Sequence, residues 1–78
     1  MEKWEFCYIC RHSQRGYEDI FLINENGSSE KLFSEKDATL ENAVLLLNKL
    51  GGQGWELVGA TASNGEHGWT MRRLKESN

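Results

Sequence analysis

One stretch, residues 40–58, constrains the fold more than any other part of the chain. It reads L-E-N-A-V-L-L-L-N-K-L-G-G-Q-G-W-E-L-V. Its apolar residues recur three and four positions apart, which is the spacing of one face of an α-helix. The stripe consists of Leu40, Ala43, Val44, Leu47 and Leu50, and Leu45 and Leu46 widen it. The pattern predicts a helix over about residues 38–50, which must pack on a surface supplied by the rest of the chain.

The two ends of this helix carry recognisable signals. Asp37 or Thr39 can cap its start, because a short side-chain oxygen accepts a hydrogen bond from a free N–H group of the first turn. Gly51 follows the last periodic residue, where a left-handed conformation suits glycine. We expect a turn over residues 52–54 and then a strand that begins at Trp55.

Alternating and apolar runs on both sides of the helix predict strands. In the first, residues 3–11, a heavy and largely aromatic set alternates with a lighter one and is expected to face the helix. The heavy set is Trp4, Phe6, Tyr8 and Cys10. A polar turn over residues 12–17 follows. Further strands are predicted over residues 19–24, 30–33, 55–62 and 68–74, with tight turns at Asn26-Gly27 and Asn64-Gly65.

The predicted fold is α+β, a single domain over residues 1–78. One helix covers one face of an antiparallel sheet of four to five strands, and the other face is left uncovered. The uncovered face is expected to expose Cys7, Ile9, Val58, Ala60 and Leu74. Exposed apolar patches are often interfaces, so the sequence predicts a homodimer or a higher assembly through that face or through an edge strand.

Charge and composition argue against several classes of protein. The formal net charge of −3 disfavours general nucleic-acid binding, which needs clustered Lys and Arg. No segment approaches the ~20 apolar residues of a membrane span. The charged start lacks the apolar run of a signal peptide, and the chain has only two cysteines. Together these features predict a reducing, cytoplasmic location.

Two segments carry a recognisable pattern. Lys3-Trp4-Glu5-Phe6 opens a strand, and residues 47–58 read L-N-K-L-G-G-Q-G-W-E-L-V before a closing strand that ends Arg73-Leu74-Lys75. This pattern resembles a family of very small bacterial and phage proteins known as a domain of unknown function. Compared with the shortest members of that family, residues 11–38 look like an insertion. The resemblance implies a ββαββ-like fold and self-association, and it supplies no catalytic residue.

Two cysteines and two histidines raise the question of a metal site. Cys7 and Cys10 have the Cys-x2-Cys spacing that binds zinc when it lies on a turn, and His12 and His67 could add ligands. In a strand, however, residues three apart point to opposite faces, so the two sulfurs diverge and cannot share one ion. We therefore expect buried or half-buried thiols, with no metal and no cofactor.

A basic and aromatic group is the strongest candidate for a binding site. If the first and last strands pair antiparallel, Arg11 falls near His67 and Trp69, and Glu5 falls near Arg73. Arginine binds phosphate through paired hydrogen bonds, and an aromatic ring stacks on a base. The predicted ligand-binding residues are Arg11, His12, Arg15, His67 and Trp69, and the predicted ligand is a small anion such as a nucleotide. The alternative is an ordinary solvated sheet end whose arginine stems cover apolar surface.

Three functions are open on the sequence alone. The first is a non-enzymatic homo-oligomeric protein that binds a small ligand, in its concrete form a phage-type, anti-defence sponge that sequesters a nucleotide immune signal between subunits. The second is a protein–protein interaction module or inhibitor that docks through an edge strand or through the acidic residues 18–41. The third is a small phosphodiesterase-like enzyme with His12 and His67 as its acid/base pair. The small size and the lack of a catalytic constellation favour the first.

Overall fold

The chain folds as one five-stranded sheet with one helix. The computed structural model describes residues 3–14, 17–63 and 65–75. The elements are β1 (Trp4–Gln14), β2 (Tyr17–Ile23), β3 (Ser29–Ser34), a short 3-10 turn (Glu35–Asp37), α1 (Leu40–Gly51), β4 (Glu56–Ser63) and β5 (Glu66–Leu74). The predicted α+β fold is confirmed, and both β1 and β2 extend into the segment predicted as a polar turn.

The sheet has the strand order β3-β2-β1-β5-β4, with every neighbouring pair antiparallel. β1 therefore lies at the centre and pairs with β5 over its length. The predicted pairing of these two strands is confirmed, because Glu5 lies opposite Arg73 and Arg11 lies opposite His67. The sheet ends at β3 on one side and at β4 on the other.

The face of β1 that meets the helix is not the predicted one. Cys7 and Ile9 are buried beneath α1, at 5% and 0% exposure, whereas Trp4 and Phe6 lie on the other face and are 36% and 53% exposed. The prediction that the uncovered face exposes Cys7 and Ile9 is wrong for the same reason. Val58, Ala60 and Leu74 are exposed. Leu74 lies opposite Trp4 on the uncovered face as predicted, whereas Ala60 lies opposite Trp69 on the helix side of the sheet.

Cross-strand register explains this reversal. Ile9 lies opposite Leu22 of β2 and Trp69 of β5, so all three central strands are apolar together on the helix side. On the other side Phe6 lies opposite Arg72, so the apolar row of β1 has a charged neighbour there. The helix covers the face on which apolar residues coincide across strands, since that burial removes the most apolar area from water. The alternation within β1 alone does not contain this information.

The helix begins close to the predicted residue and ends later. Thr39 caps it, because the Thr39 side chain accepts a hydrogen bond from the Asn42 backbone N–H at 3.1 Å. Gly51 is the last helical residue rather than a left-handed cap, and the positive φ of 94° falls at Gly54. In the described part of the chain, no helix combines the length and apolar character needed to cross a bilayer.

The buried stripe of α1 is rotated relative to the prediction. Ala43, Leu46 and Leu50 are buried, whereas Leu40 and Val44 are largely exposed. The buried side packs with the apolar residues of β1 and β2, and Leu32, Phe33 and Trp69 pack against the same core. Every residue of β4 is exposed, so this edge strand is covered on neither face.

Candidate functional site

The predicted ligand-binding residues that the structure describes lie on both faces of the sheet. Arg11, His67 and Trp69 share the helix face of the sheet, because Arg11 pairs with His67 and Trp69 lies two residues further along β5. His12 follows Arg11 in the same strand and therefore lies on the opposite face. Arg15 lies outside the described residues.

Arg11 is held by contacts within the chain. Its Nε donates to the Ala38 backbone carbonyl at 2.7 Å, and its Nη2 lies 3.4 Å from Glu18 Oε2. Its side chain is only 15% exposed. A hydrogen bond from a charged donor to a buried carbonyl stabilises a fold more than a neutral one does. Arg11 thus fastens the end of β1 to the segment that leads into the helix, and little of its guanidinium is left for a ligand.

His67 and Trp69 form a stacked pair on the helix face. Their ring centroids are 6.1 Å apart and the planes differ by 15°. The Nδ1 atom of His67 is buried and has no hydrogen-bond partner among the described residues. Within the predicted site, this pair keeps both an aromatic surface and an unused polar atom.

The two histidines are separated by the sheet. His12 lies opposite Asp19 and Glu66 on one face, while His67 stacks on Trp69 on the other. A general acid and a general base must both reach one substrate at hydrogen-bond distance. The arrangement therefore gives no support to an acid/base pair made of His12 and His67.

The two cysteines also point to opposite faces, as the strand reading predicts. Cys7 is buried in the core, and the Cys10 thiol donates to Glu66 Oε1 at 2.9 Å. Burial, followed by the nearby Glu25 carboxylate, raises the pKa of Cys7. Burial and the hydrogen bond to Glu66 raise the pKa of Cys10 to about 12. Both thiols are therefore protonated at neutral pH, whereas the thiolate is the form that attacks electrophiles and binds metals.

The described residues offer no alternative metal site. Within residues 3–14, 17–63 and 65–75, no three His, Cys, Asp or Glu side chains lie close enough together to hold an ion. This agrees with the divergence of the two sulfurs across the sheet.

The sheet face away from the helix carries a row of aromatic side chains, which we call the bare face. Its apolar members are Trp4, Phe6, Tyr8, Cys10, Phe21 and Ile23. Gly68 leaves room for this row, because a Cβ atom at Gly68 would lie 1.9 Å from the Tyr8 hydroxyl oxygen. The Tyr8 ring thus lies over Gly68, and the apolar row of β1 and β2 reaches onto β5 there.

The cations of the bare face are already paired. The Arg72 guanidinium stacks on Trp4 at 4.0 Å, and its Nε donates to Glu56. Lys31 lies 3.6 Å from Asp19 Oδ1 and 5.8 Å from the centre of the Phe21 ring. The bare face is therefore aromatic and close to neutral in charge, although basic residues border it.

A cleft at the other end of the sheet from His67 was not predicted as a site. We call it the Arg73 cleft. It has a volume of about 520 Å³ and is lined by Glu5, Gln53, Gly54, Arg73, Leu74 and Lys75. A smaller hollow of about 160 Å³ adjoins it through Gln53 and Arg73. That hollow is lined by Cys7, Leu22, Asn24, Glu25, Leu50, Gln53, Trp55 and Arg73.

Arg73 is oriented by three neighbours. Its Cζ lies 4.2 Å from the centre of the Trp55 ring, its Nε donates to Glu5 Oε1 at 2.7 Å, and its Nη2 lies 3.9 Å from Glu25 Oε1. Gly54 is suited to the turn by its φ of 94°, which other residues rarely adopt, while a Cβ atom there would make an ordinary contact with Arg73 Cδ at 3.6 Å. The turn after α1 and the last strand thus combine to fix one arginine in an open cleft.

Two signals in the sequence pointed to this arrangement. The register predicted from the sequence put Glu5 near Arg73, and the glycine-rich turn before Trp55 is the most distinctive motif in the chain. What the sequence did not show is that the turn and the strand meet. We found no match to the chain among protein-family models, curated proteins or solved structures.

Proposed function

We propose that this protein is a non-enzymatic, homo-oligomeric binding protein whose subunits associate through the bare face and which binds a small anionic ligand such as a nucleotide. The observation that carries the proposal is the aromatic row of the bare face, in which Phe6 is half-exposed between Trp4 and Tyr8. The separation of the two histidines and the protonated thiols support binding rather than turnover. The free thiols support a reducing, cytoplasmic setting.

The size of the bare face suits a second copy of the chain. Five strands about 4.8 Å apart, with about 23 Å of paired length, cover roughly 550 Å². Two such faces packed together bury roughly 1,100 Å², which exceeds the about 1,000 Å² that a specific interface needs. Sheets pack face to face at about 10 Å with interdigitating side chains, and exposed aromatic rings supply most of the energy of such contacts.

The charge of the bare face supports the same partner. Arg72 and Lys31 are each neutralised by a carboxylate of their own chain, so two copies do not repel each other. A nucleic acid would instead require unpaired cations along the surface. An acidic or basic protein partner would require an excess of one sign of charge, which this face lacks.

Replacement of Phe6 by Glu is expected to abolish self-association. The residue is exposed in a single subunit, so the fold tolerates the change, but an interface buries one carboxylate from each copy. Light scattering coupled to size exclusion should report a dimer or larger species for the unmodified chain and 8.9 kDa for the variant.

Leu45→Glu is the matched control for this change. Leu45 is also an exposed apolar residue, but it lies on the helix and not on the bare face. The control should keep the assembly of the unmodified chain. A monomeric unmodified chain at micromolar concentration, or equal effects of the two substitutions, would contradict the assembly proposal.

The ligand-binding part of the proposal is tested by a thermal-shift screen of nucleotides and cyclic dinucleotides. A ligand that binds only the folded chain stabilises it by mass action and so raises the melting temperature. At a concentration of one hundred times its Kd, the gain in unfolding free energy is about 2.7 kcal/mol. The unphosphorylated nucleosides are the controls, since they keep the base and lack the anion. A screen in which no phosphate-bearing compound shifts the transition would argue against a nucleotide ligand.

A further inference from the structure

We infer that the Arg73 cleft is the anion site, and that it takes a singly charged oxyanion, either a carboxylate or a phosphodiester of a small molecule. This inference rests on the ligand-binding part of the proposed function and does not depend on assembly. The cleft is formed within one subunit by residues of β1, β5 and the turn after α1, so the inference can be tested on a monomer.

Arg73 is fixed by an aromatic ring and a carboxylate, as Arg72 is, but of the two arginines it is Arg73 that lines the cleft. A side chain fixed in this way at a cleft can serve as a preorganised anion donor. The Arg73 guanidinium lies over the Trp55 ring, and its Nε–H donates a hydrogen bond to Glu5. Among the described residues, the bond to Glu5 is the only hydrogen bond that this guanidinium donates. Its two terminal nitrogens keep their N–H groups for a ligand, and paired N–H donors match the two oxygens of a carboxylate or a phosphodiester.

The neighbouring carboxylates set the charge of that ligand. Glu25 is 3.9 Å from Arg73 Nη2, too far for a hydrogen bond, and an incoming oxyanion takes its place beside the guanidinium. Glu5 stays bonded at 2.7 Å. A second negative charge on the ligand would be repelled by both carboxylates, whereas Lys75 at the rim offsets only part of that repulsion. The cleft therefore favours a monoanion over a dianion.

The walls define the rest of the ligand. Gln53 and Asn24 offer amide groups, and Leu22 and Leu50 offer apolar surface in the adjoining hollow. The combined space lies within the range of small-molecule pockets, about 300–1,000 Å³. The lining fits a small molecule that joins an oxyanion group to a partly apolar group. The oxyanion would lie at Arg73, and the apolar group would pack against Leu22 and Leu50.

The experiment is an NMR titration of the ¹⁵N-labelled full chain at pH 8 and constant ionic strength. The probes are acetate, dimethyl phosphate and methyl phosphate, and the last is the doubly charged comparison because its second pKa lies near about 6. The expected result is saturable shifts of the Arg73 Nε–H and Trp55 indole N–H signals with acetate or dimethyl phosphate. Methyl phosphate should bind at least about threefold more weakly than the better monoanion. Which monoanion binds better distinguishes a carboxylate from a phosphodiester ligand.

Three variants separate a binding role from a structural one. Arg73→Lys keeps the charge but loses the paired donors, and it should weaken the better probe by about tenfold. Glu25→Gln removes the competing carboxylate and should tighten binding by about threefold, an effect that no purely structural role produces. Lys49→Gln removes one positive charge from the last turn of α1 without lining the cleft, and it should bind as the unmodified chain does.

The outcomes distinguish this inference from the proposed function. Shifts confined to His67 and Trp69 would leave a small-anion protein but overturn the Arg73 cleft as its site. No saturable shift with any probe would overturn the site as well, and so would unchanged or weaker binding in Glu25→Gln. Binding that persists in a monomeric Phe6→Glu chain is the expected result, because the cleft is formed within one subunit.

Discussion

Replacement of Ile9 by alanine is expected to cost about 3–4 kcal/mol of unfolding free energy. Ile9 has no exposed surface, lies in the central strand and is covered by α1. Removing its three outer carbons leaves a cavity that the rigid sheet cannot close. A domain of this size has a total stability of about 4–12 kcal/mol, so this loss is about a quarter of the total or more. Chemical denaturation followed by circular dichroism gives the measurement.

Two further substitutions test whether the loss of stability comes from the buried position of Ile9. Ile9→Val removes a single methyl group and should cost about 1 kcal/mol, so that the loss scales with the volume removed. Leu57→Ala truncates an exposed apolar residue of the edge strand β4 and should cost under about 1 kcal/mol. If Ile9→Ala were as mild as Leu57→Ala, the placement of Ile9 beneath the helix would be wrong.

The second large effect is expected at Gly65, in the turn between β4 and β5. Its φ is 80°, and a Cβ atom there would lie 2.7 Å from the backbone oxygen of Ser13. The Ser13 N–H also donates to the Gly65 carbonyl at 3.0 Å. Gly65→Ala therefore pays a left-handed penalty of about 1–2 kcal/mol and also pushes β1 away from the turn. We expect a total loss of about 3 kcal/mol, since the strand contact weakens as well.

Gly27→Ala is the matched control for Gly65→Ala. Gly27 has a similar φ of 88°, but a Cβ atom there would meet nothing within 4 Å. Its cost is the conformational penalty alone, about 1 kcal/mol. The difference between the two variants, measured by denaturation, isolates the contact with Ser13. Equal losses would mean that the turn does not press on β1.

Much of the fold could be predicted because the signals are local. The helix needs only the spacing of its leucines and the Thr39 cap, and the strands need only alternation and turn residues. The register of β1 with β5 was predicted on the assumption that the first and last strands pair antiparallel, an assumption that the structure confirms. For the helix and the strands, the pattern of residues close together in the sequence is enough to predict the element.

The errors arose where several strands decide together. Trp4 and Phe6 are heavier than Cys7 and Ile9, so a reading of β1 alone assigns the aromatic set to the core. The core instead forms where β1, β2 and β5 are apolar at the same level, which depends on register across two separate pairings. Leu46 replaced Val44 in the buried stripe for a related reason, because α1 packs toward Leu32 and Phe33 and leaves β4 uncovered.

For the candidate site as well, the sequence predicted which residues lie close together but not which contacts they make. Sequence reasoning grouped Arg11 with His67 and Trp69 correctly by register, but it could not show that the Ala38 carbonyl already occupies the Arg11 guanidinium. The orientation of Arg73 in the cleft depends on its contact with the Trp55 ring, and Trp55 lies eighteen positions earlier in the chain. Whether an arginine is available to a ligand depends on its partners in three dimensions and not on its neighbours in the sequence.

The central place of β1 in the sheet also limits the order in which its two pairings can form during synthesis. β5 joins the sheet along β1, so the last strand of the chain has to arrive before the second edge of β1 is paired. Until then a nascent chain holds only the β1–β2–β3 meander, in which β1 is an edge strand open to any extended segment nearby. Pairings between such distant parts of a chain form slowly. During synthesis, β1 is therefore expected to remain an exposed edge strand until β5 has been made.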